Sequence, residues 1–334
     1  MTEVHRWSAE KAWNWYQKTP CLCGFNFLPS TAVNTTEMWQ AETFDLETID
    51  RELGWAGEIG FNTCRVFVQY LVWDHDPQGM LQRMEQFLEV ASQHGLSTMY
   101  TLFDDCAFSG KQPYLGKQDD PLPGVHNSGW TPSPGHQRAV DQSAWPRLEE
   151  YVRSVVSCFR QDRRVIAWDL FNEPGNSGMG NKSLPLLINS FGWARAAHPE
   201  QPLLAGLWQN DMTGLNDAIL KCSDLVSFHC YSNLGILRNR VAELKLLGYP
   251  LISTEWMART LGSCWETDLP YMKQEHIGCY SWGLVSGRTQ TRFPWGSREG
   301  APEPEVWFHD LFYPDGWPYR AEEVAVIKAQ TQEN

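Results

Sequence analysis

Two short segments carry the residue types that acid–base chemistry needs. The run Val165-Ile-Ala-Trp-Asp-Leu-Phe-Asn172 is mostly apolar and stops at Glu173-Pro174. Such a run reads as a buried strand, and a carboxylate at its end sits at the strand's mouth. Proline lacks a ladder donor and biases the residue before it toward extended backbone, so Pro174 is expected to end the strand and direct an extended Glu173. A second segment of the same design, Pro250-Leu-Ile-Ser-Thr-Glu255-Trp256, delivers another carboxylate. Two carboxylates at separate strand ends are the minimum apparatus for glycoside hydrolysis, one protonated to release the leaving oxygen and one ionised. A negative Glu255 nearby is expected to raise the proton affinity of Glu173.

Such a pair needs a frame that brings distant strand ends together. Eight apolar, β-branched or aromatic runs, at residues 21–28, 63–70, 97–103, 165–171, 203–208, 225–231, 251–255 and 278–283, alternate with helical patterns. That alternation predicts βα units on a parallel sheet, and eight units close a barrel. The expectation is an α/β fold, one (β/α)8 barrel domain spanning residues 1–334. Asp45 reads as the cap of a helix whose apolar stripe is Leu46, Ile49, Leu53 and Ile59; Met80, Met84, Phe87, Leu88 and Ala91 form another, ending at Gly95. Leu148, Val152, Val155 and Phe159 mark a third, with further helices over 184–197, 236–247 and 321–330 and a short one near 216–221. Two stretches break the rhythm, 104–141 after strand three and 286–304 after strand eight. Loops of that length over an active face are commonly functional, which makes His126, Trp130, Arg288 and Trp295 candidates for shaping a pocket.

Composition narrows the ligand. A net charge of −13 and no clustered Lys or Arg argue against nucleic acid, while 17 tryptophans hint at stacking on sugar rings beside ordinary packing. Residues 1–8 lack an apolar signal core, and no segment approaches the ~18 apolar residues of a membrane span, so the chain reads as cytoplasmic with no membrane partner. Nine cysteines without a paired metal spacing read as reduced thiols, and no cofactor or metal is expected.

On Asn172-Glu173-Pro174 at the fourth strand and Glu255 at the seventh, the chain resembles the clan A glycoside hydrolases, close in motif style to the cellulase-like family 5 enzymes. The resemblance implies a retaining enzyme acting on a β-linked glycoside or oligosaccharide, with Glu173 as acid/base, Glu255 as nucleophile and carboxyls roughly 5 Å apart. It further implies that Arg65 lies beneath the nucleophile and keeps it ionised, and that Asn172 holds the sugar 2-hydroxyl. His229 and Tyr231, which share a strand face at i, i+2, match the clan's His-x-Tyr pair: Tyr231 bonds Glu255 and His229 approaches substrate or acid/base. Trp282 matches the tryptophan under the reacting sugar. The chain departs from many family 5 members in carrying Phe103-Asp104-Asp105 at the end of strand three, where they have a histidine; Asp104 reads equally as a sugar-hydroxyl acceptor or as a loop cap. Two alternatives compete: a metal-dependent sugar isomerase or epimerase using Glu173, His229 and Glu255, and a non-catalytic carbohydrate-binding barrel.

Overall fold

The computed structural model describes residues 6–332. Nine parallel strands form one sheet: β1 (Cys23–Phe27), β2 (Thr63–Phe67), β3 (Ser97–Asp104), β4 (Val165–Asn172), β5 (Leu203–Leu204), β6 (Gly206–Leu207), β7 (Val226–Cys230), β8 (Leu251–Trp256) and β9 (Gly278–Trp282). Their order is β5-β4-β3-β2-β1-β9-β8-β7-β6. The two ends of that order, β5 and β6, are one chain segment interrupted only at Ala205. Leu203 and Leu204 pair with Trp168 and Asp169, whereas Gly206 and Leu207 pair with Ser227 and Phe228. The expected fifth strand is thus shared between two neighbours, and through it the sheet closes into a (β/α)8 barrel.

The strands form where the chain is apolar without alternation, because a parallel barrel buries both strand faces. Leu22, Met99, Ala167, Leu204, Ile252 and Tyr280 make one small buried cluster on the strands, apart from the larger core that includes the helices. The helices follow their stripes. Asp45 accepts the Thr48 N–H at 3.0 Å and starts Leu46–Glu58, which buries Ile49, Leu53 and Ala56. Asp76 caps Pro77–Gln93, and Gly95 turns the chain out of it at φ 75°.

Three expectations change. The second strand stops at Phe67 and a short helix, Tyr70–His75, begins, because a short run of β-branched and aromatic residues does not by itself separate strand from helix. A helix not anticipated from the sequence, Trp265–Gln274, precedes β9; Pro270 lies inside it and its N-cap, Cys264, makes no side-chain bond. The short helix near 216–221 runs the ten residues Thr213–Cys222.

All nine cysteines are free thiols. No helix among the described residues is long and apolar enough to cross a membrane. The reading of the amino terminus rests on residues 1–8, of which 1–5 lie outside the described residues.

Candidate active site

Above the barrel's apolar filling lies a polar layer organised by Arg65 on β2. The side chain is fully buried and its donors are all engaged. Nε donates to Asp169 Oδ2 at 2.9 Å, Nη1 to Asn26 Oδ1 at 2.7 Å and Glu255 Oε1 at 2.9 Å, and Nη2 to Asp169 Oδ2 at 2.5 Å and Asn172 Oδ1 at 2.7 Å. A guanidinium taken out of water persists only with such pairing. Arg65 thereby ties β1, β2, β4 and β8 together and places a permanent cation against Glu255, as the resemblance implies. Asp169 was not singled out in the sequence; its signal is a charged residue within an otherwise apolar strand.

Glu173 is the first residue after β4, at φ 41°. This corrects the extended geometry expected before Pro174. The chain leaves two more strands in the same left-handed way, at Met257 after β8 (φ 76°) and Gly283 after β9 (φ 80°). For a side-chain-bearing residue such a backbone costs about 1–3 kcal/mol, held in place by its surroundings. At Glu173 these are visible: Gly175 N–H donates to Asp105 Oδ2 at 2.7 Å, and Trp208 Nε1 donates to the Pro174 carbonyl at 3.1 Å.

The expected residues converge. His229 Nδ1 lies 2.9 Å from Glu173 Oε1 and 3.4 Å from Glu255 Oε2. Tyr231, one residue past β7, donates its hydroxyl to Glu255 Oε2 at 2.8 Å. One oxygen of each carboxylate and a ring nitrogen of His229 all lie within 4.8 Å of one another. Gly206 permits this packing, because a Cβ there would stand 2.8 Å from His229 Nε2. Trp282 lines the same cavity, of about 780 Å3, together with Asn172, Glu173, His229, Tyr231 and Glu255. That size suits a short oligosaccharide.

Burial pushes the Glu255 carboxyl up, and the Glu173 charge adds to this against the pull of His229, Arg65 and Tyr231. Burial acts on Glu173 too, but the His229 hydrogen bond and charge, helped by Cys106 and Asn176, hold it below the usual carboxylate range. His229 loses proton affinity to burial and regains more from the two carboxylates. The pairwise reading of the two glutamates omitted His229, whose positive charge reverses the direction at Glu173. Three groups therefore titrate together, with the imidazolium favoured at rest.

Around the pair stand residues without a sequence signal. Cys106 Sγ donates to Glu173 Oε2 at 3.3 Å, and Asn176 Nδ2 donates to the same oxygen. Asp104 does not line the cavity; it accepts from Cys106 N and Asn172 Nδ2, both at 2.9 Å, and from Trp130 Nε1 at 2.6 Å. Burial lifts its carboxyl to about 7 against those donors. Of its two readings the structure places it in the loop-holding one. His126, Trp130 and Trp295 line the cavity. Arg288 does not: it pairs with Glu37 at 3.4 Å and Asp120 at 3.3 Å, bracing the outer side of its loop.

Comparison with known proteins bears on the fold and the family. The chain is similar in fold to an exo-beta-1,4-mannosidase, Op5Man5, from Opitutaceae bacterium strain TAV5, at 18% identity and a TM-score of 0.62, covering 92% of this chain and 59% of that one. It is similar to GH5_18 from Streptomyces cattleya in complex with Manb1-4GlcNAc, at 14% identity and a TM-score of 0.61, covering 93% and 81%. The beta-mannanase of the blue mussel Mytilus edulis gives 12% identity and a TM-score of 0.59, covering 93% and 92%. No curated protein matches the chain in sequence. The family model for cellulase, glycosyl hydrolase family 5, matches residues 29–287 and takes in Arg65, Glu173, His229, Glu255 and Trp282, so the chain belongs to glycosyl hydrolase family 5 and is a glycoside hydrolase.

Proposed function

We propose that the protein, as a single catalytic barrel, hydrolyses a β-linked glycoside with retention of configuration, Glu173 serving as acid/base and Glu255 as nucleophile. The observation that carries this reading is the asymmetric support of two adjacent carboxylates. Glu255 is held by a permanent cation and a phenol, whereas Glu173 is held by an imidazole that can exchange a proton with it. Oxygens within 4.8 Å of each other favour direct attack, since an inverting pair needs roughly 6.5–9.5 Å to admit a water.

In the first step Glu255 attacks the anomeric carbon while Glu173 protonates the departing oxygen, and the C–O bond breaks. Glu173 gains that proton across its 2.9 Å contact with His229 Nδ1, leaving a neutral imidazole. In the second step Glu173 removes a proton from water, whose oxygen displaces Glu255. Asn172 spends its oxygen on Arg65 and one N–H on Asp104, and its other N–H, with only the Cys106 sulfur at 3.6 Å, is left for the sugar 2-hydroxyl. Trp282 supplies the apolar floor. The mannose-active neighbours make β-mannosides the first substrates to try, followed by β-glucosides. Proton NMR of the first-formed product tests the reading: the β-anomer is expected, and an α-anomer sinks it.

One observation favours a second reading, a metal-dependent sugar isomerase or epimerase: Glu173, His229 and Glu255 are spaced as metal ligands. Against it, His229 Nδ1 is already bonded to Glu173, and Arg65 would repel a cation bound at Glu255. Turnover that survives exhaustive chelation separates the two.

A further inference from the structure

The cavity has one closed end and one open end, and the two carboxylates stand between them. At the closed end the lining residues His126, Asn127, Trp130 and His309 are at most 6% exposed. There the loops 104–141 and 286–304 are stitched together. Asn127 N donates to Thr289 O at 2.7 Å, Gly300 N to Pro123 O at 2.8 Å, His126 N to Ser297 Oγ at 2.9 Å and Gly124 N to Gln290 Oε1 at 2.8 Å. Asn34, beyond β1, adds bonds to Gln118 Oε1 at 2.9 Å and Gly129 O at 3.0 Å, so the wall is anchored to the barrel as well. From this wall Trp130, fixed by Asp104, stands edge-on to Trp282 with ring centroids 5.9 Å apart. It stands where a sugar preceding the one on Trp282 would have to pass.

The opposite rim is formed by residues 208–211 and by one face of the helix Leu234–Lys245. Gln209, Asn210, Asp211, Asn239 and Glu243 are exposed there and carry hydrogen-bonding side chains. The loop of Glu173 is tied to this rim through Trp208 and the Pro174 carbonyl, and to the closing loop 104–141 through Asp105 and Cys106, so the carboxylates stand between the two ends. Tyr231, the partner of Glu255, packs edge-on against Trp295 of the closing loop 286–304, at 5.0 Å.

Trp282, the proposed floor under the sugar being attacked, abuts Trp130 of the wall, so that sugar lies at the closed end and the leaving group extends toward the open rim. We propose that this enzyme is exo-acting on short β-linked oligosaccharides. It takes the non-reducing terminal sugar into the closed end and releases it singly, one water consumed per sugar, while the rest of the chain lies across the polar rim at 208–211 and 239–243. This rests on the hydrolase reading above and adds the direction and length of the substrate.

Reducing-end-labelled β-1,4-linked manno- and gluco-oligosaccharides, from disaccharide to pentasaccharide, test it beside the same chains methylated on the non-reducing terminal 4-hydroxyl. The expected first labelled product from every length is one sugar shorter, and the methylated chains resist. Internal cleavage, or equal cleavage of methylated chains, overturns the exo proposal and leaves the hydrolase reading intact. Failure to turn over any of these substrates or aryl β-glycosides overturns both. Trp130→Ala, which lowers the barrier inside the cavity, and Gln290→Ala, which loosens the seam outside it, are each expected to admit methylated chains. If both variants fold, cleave the unmethylated chains and still reject methylated ones, the wall does not set the direction.

Discussion

The floor of the mouth, from Asn26 to Glu255, is held by side chains projecting from regular strands, whereas the wall above it is held by bonds between two irregular loops, a few of them main chain to main chain and the others through side chains such as Gln290, Ser297 and His126. In the floor, strand register fixes where each charge sits, and any change disturbs electrostatics among buried charges that bulk solvent screens little. In the wall, most bonds join an uncharged side chain of one loop to the main chain of the other. The proposed chemistry is therefore concentrated on the regular strands, and the proposed substrate choice on the loops.

The widest gap between the two regions is expected at the nucleophile. Glu255→Ala is predicted to cost on the order of 10^4-fold or more in kcat on an aryl β-glycoside while the protein stays folded; residual activity within tenfold of the parent contradicts its place. Arg65→Met leaves Asp169 buried without a counter-ion and Glu255 with only the His229 imidazolium, and denaturant unfolding is expected to show a loss of about 3–5 kcal/mol. Tyr231→Phe removes a single hydroxyl from the nucleophile. A loss of about 1.5–3 kcal/mol of transition-state support, roughly ten- to hundredfold in kcat, is expected with unfolding unchanged.

In the wall the expectation is inverted. Gln290→Ala strips bonds to Gly124 N, Leu122 O and Val125 O, and is predicted to cost about 1–3 kcal/mol in unfolding with kcat on a single-sugar aryl glycoside unchanged. The smallest effect concerns Asp105, where wall and floor meet. Burial lifts its carboxyl from 3.8 to about 7, so the folded state holds the proton more tightly than the unfolded chain. Its stabilising contribution is complete below 3.8 and disappears as pH rises through about 7. The melting temperature of Asp105→Asn is therefore expected to fall less than the parent's between pH 5 and pH 8; parallel curves would show that Asp105 does not titrate in this range.

The same contrast explains what could be read in the chain. Glu173 and Glu255 were legible as carboxylates at strand ends, and Arg65, His229 and Tyr231 through the resemblance to the clan, with strand periodicity placing the last two on one face. Asp169 escaped because one charge in an apolar run looks like a tolerated exception until Arg65 is found beside it. Cys106 and Asn176 reach Glu173 from turns, whose course no periodicity describes. The loops were recognisable as breaks in rhythm, yet their mutual docking depends on contacts such as Gly124 to Gln290, which leave no local pattern. Arg288 shows the converse: a charged residue in the right loop, turned to the wrong side.

The divided stave at Ala205 bears on how this cylinder breathes. Strands β3 and β4 are laced by six residue pairs, but the split segment grips each neighbour by only two. A hoop yields where its overlap is shortest, so amide protons at 203–207 should exchange with solvent ahead of those in β3 and β4. The Glu173 loop hangs beside that splice, tethered through Trp208. Slackness there would loosen the proposed acid's side of the cleft while Glu255, across the ring on β8, stays clamped.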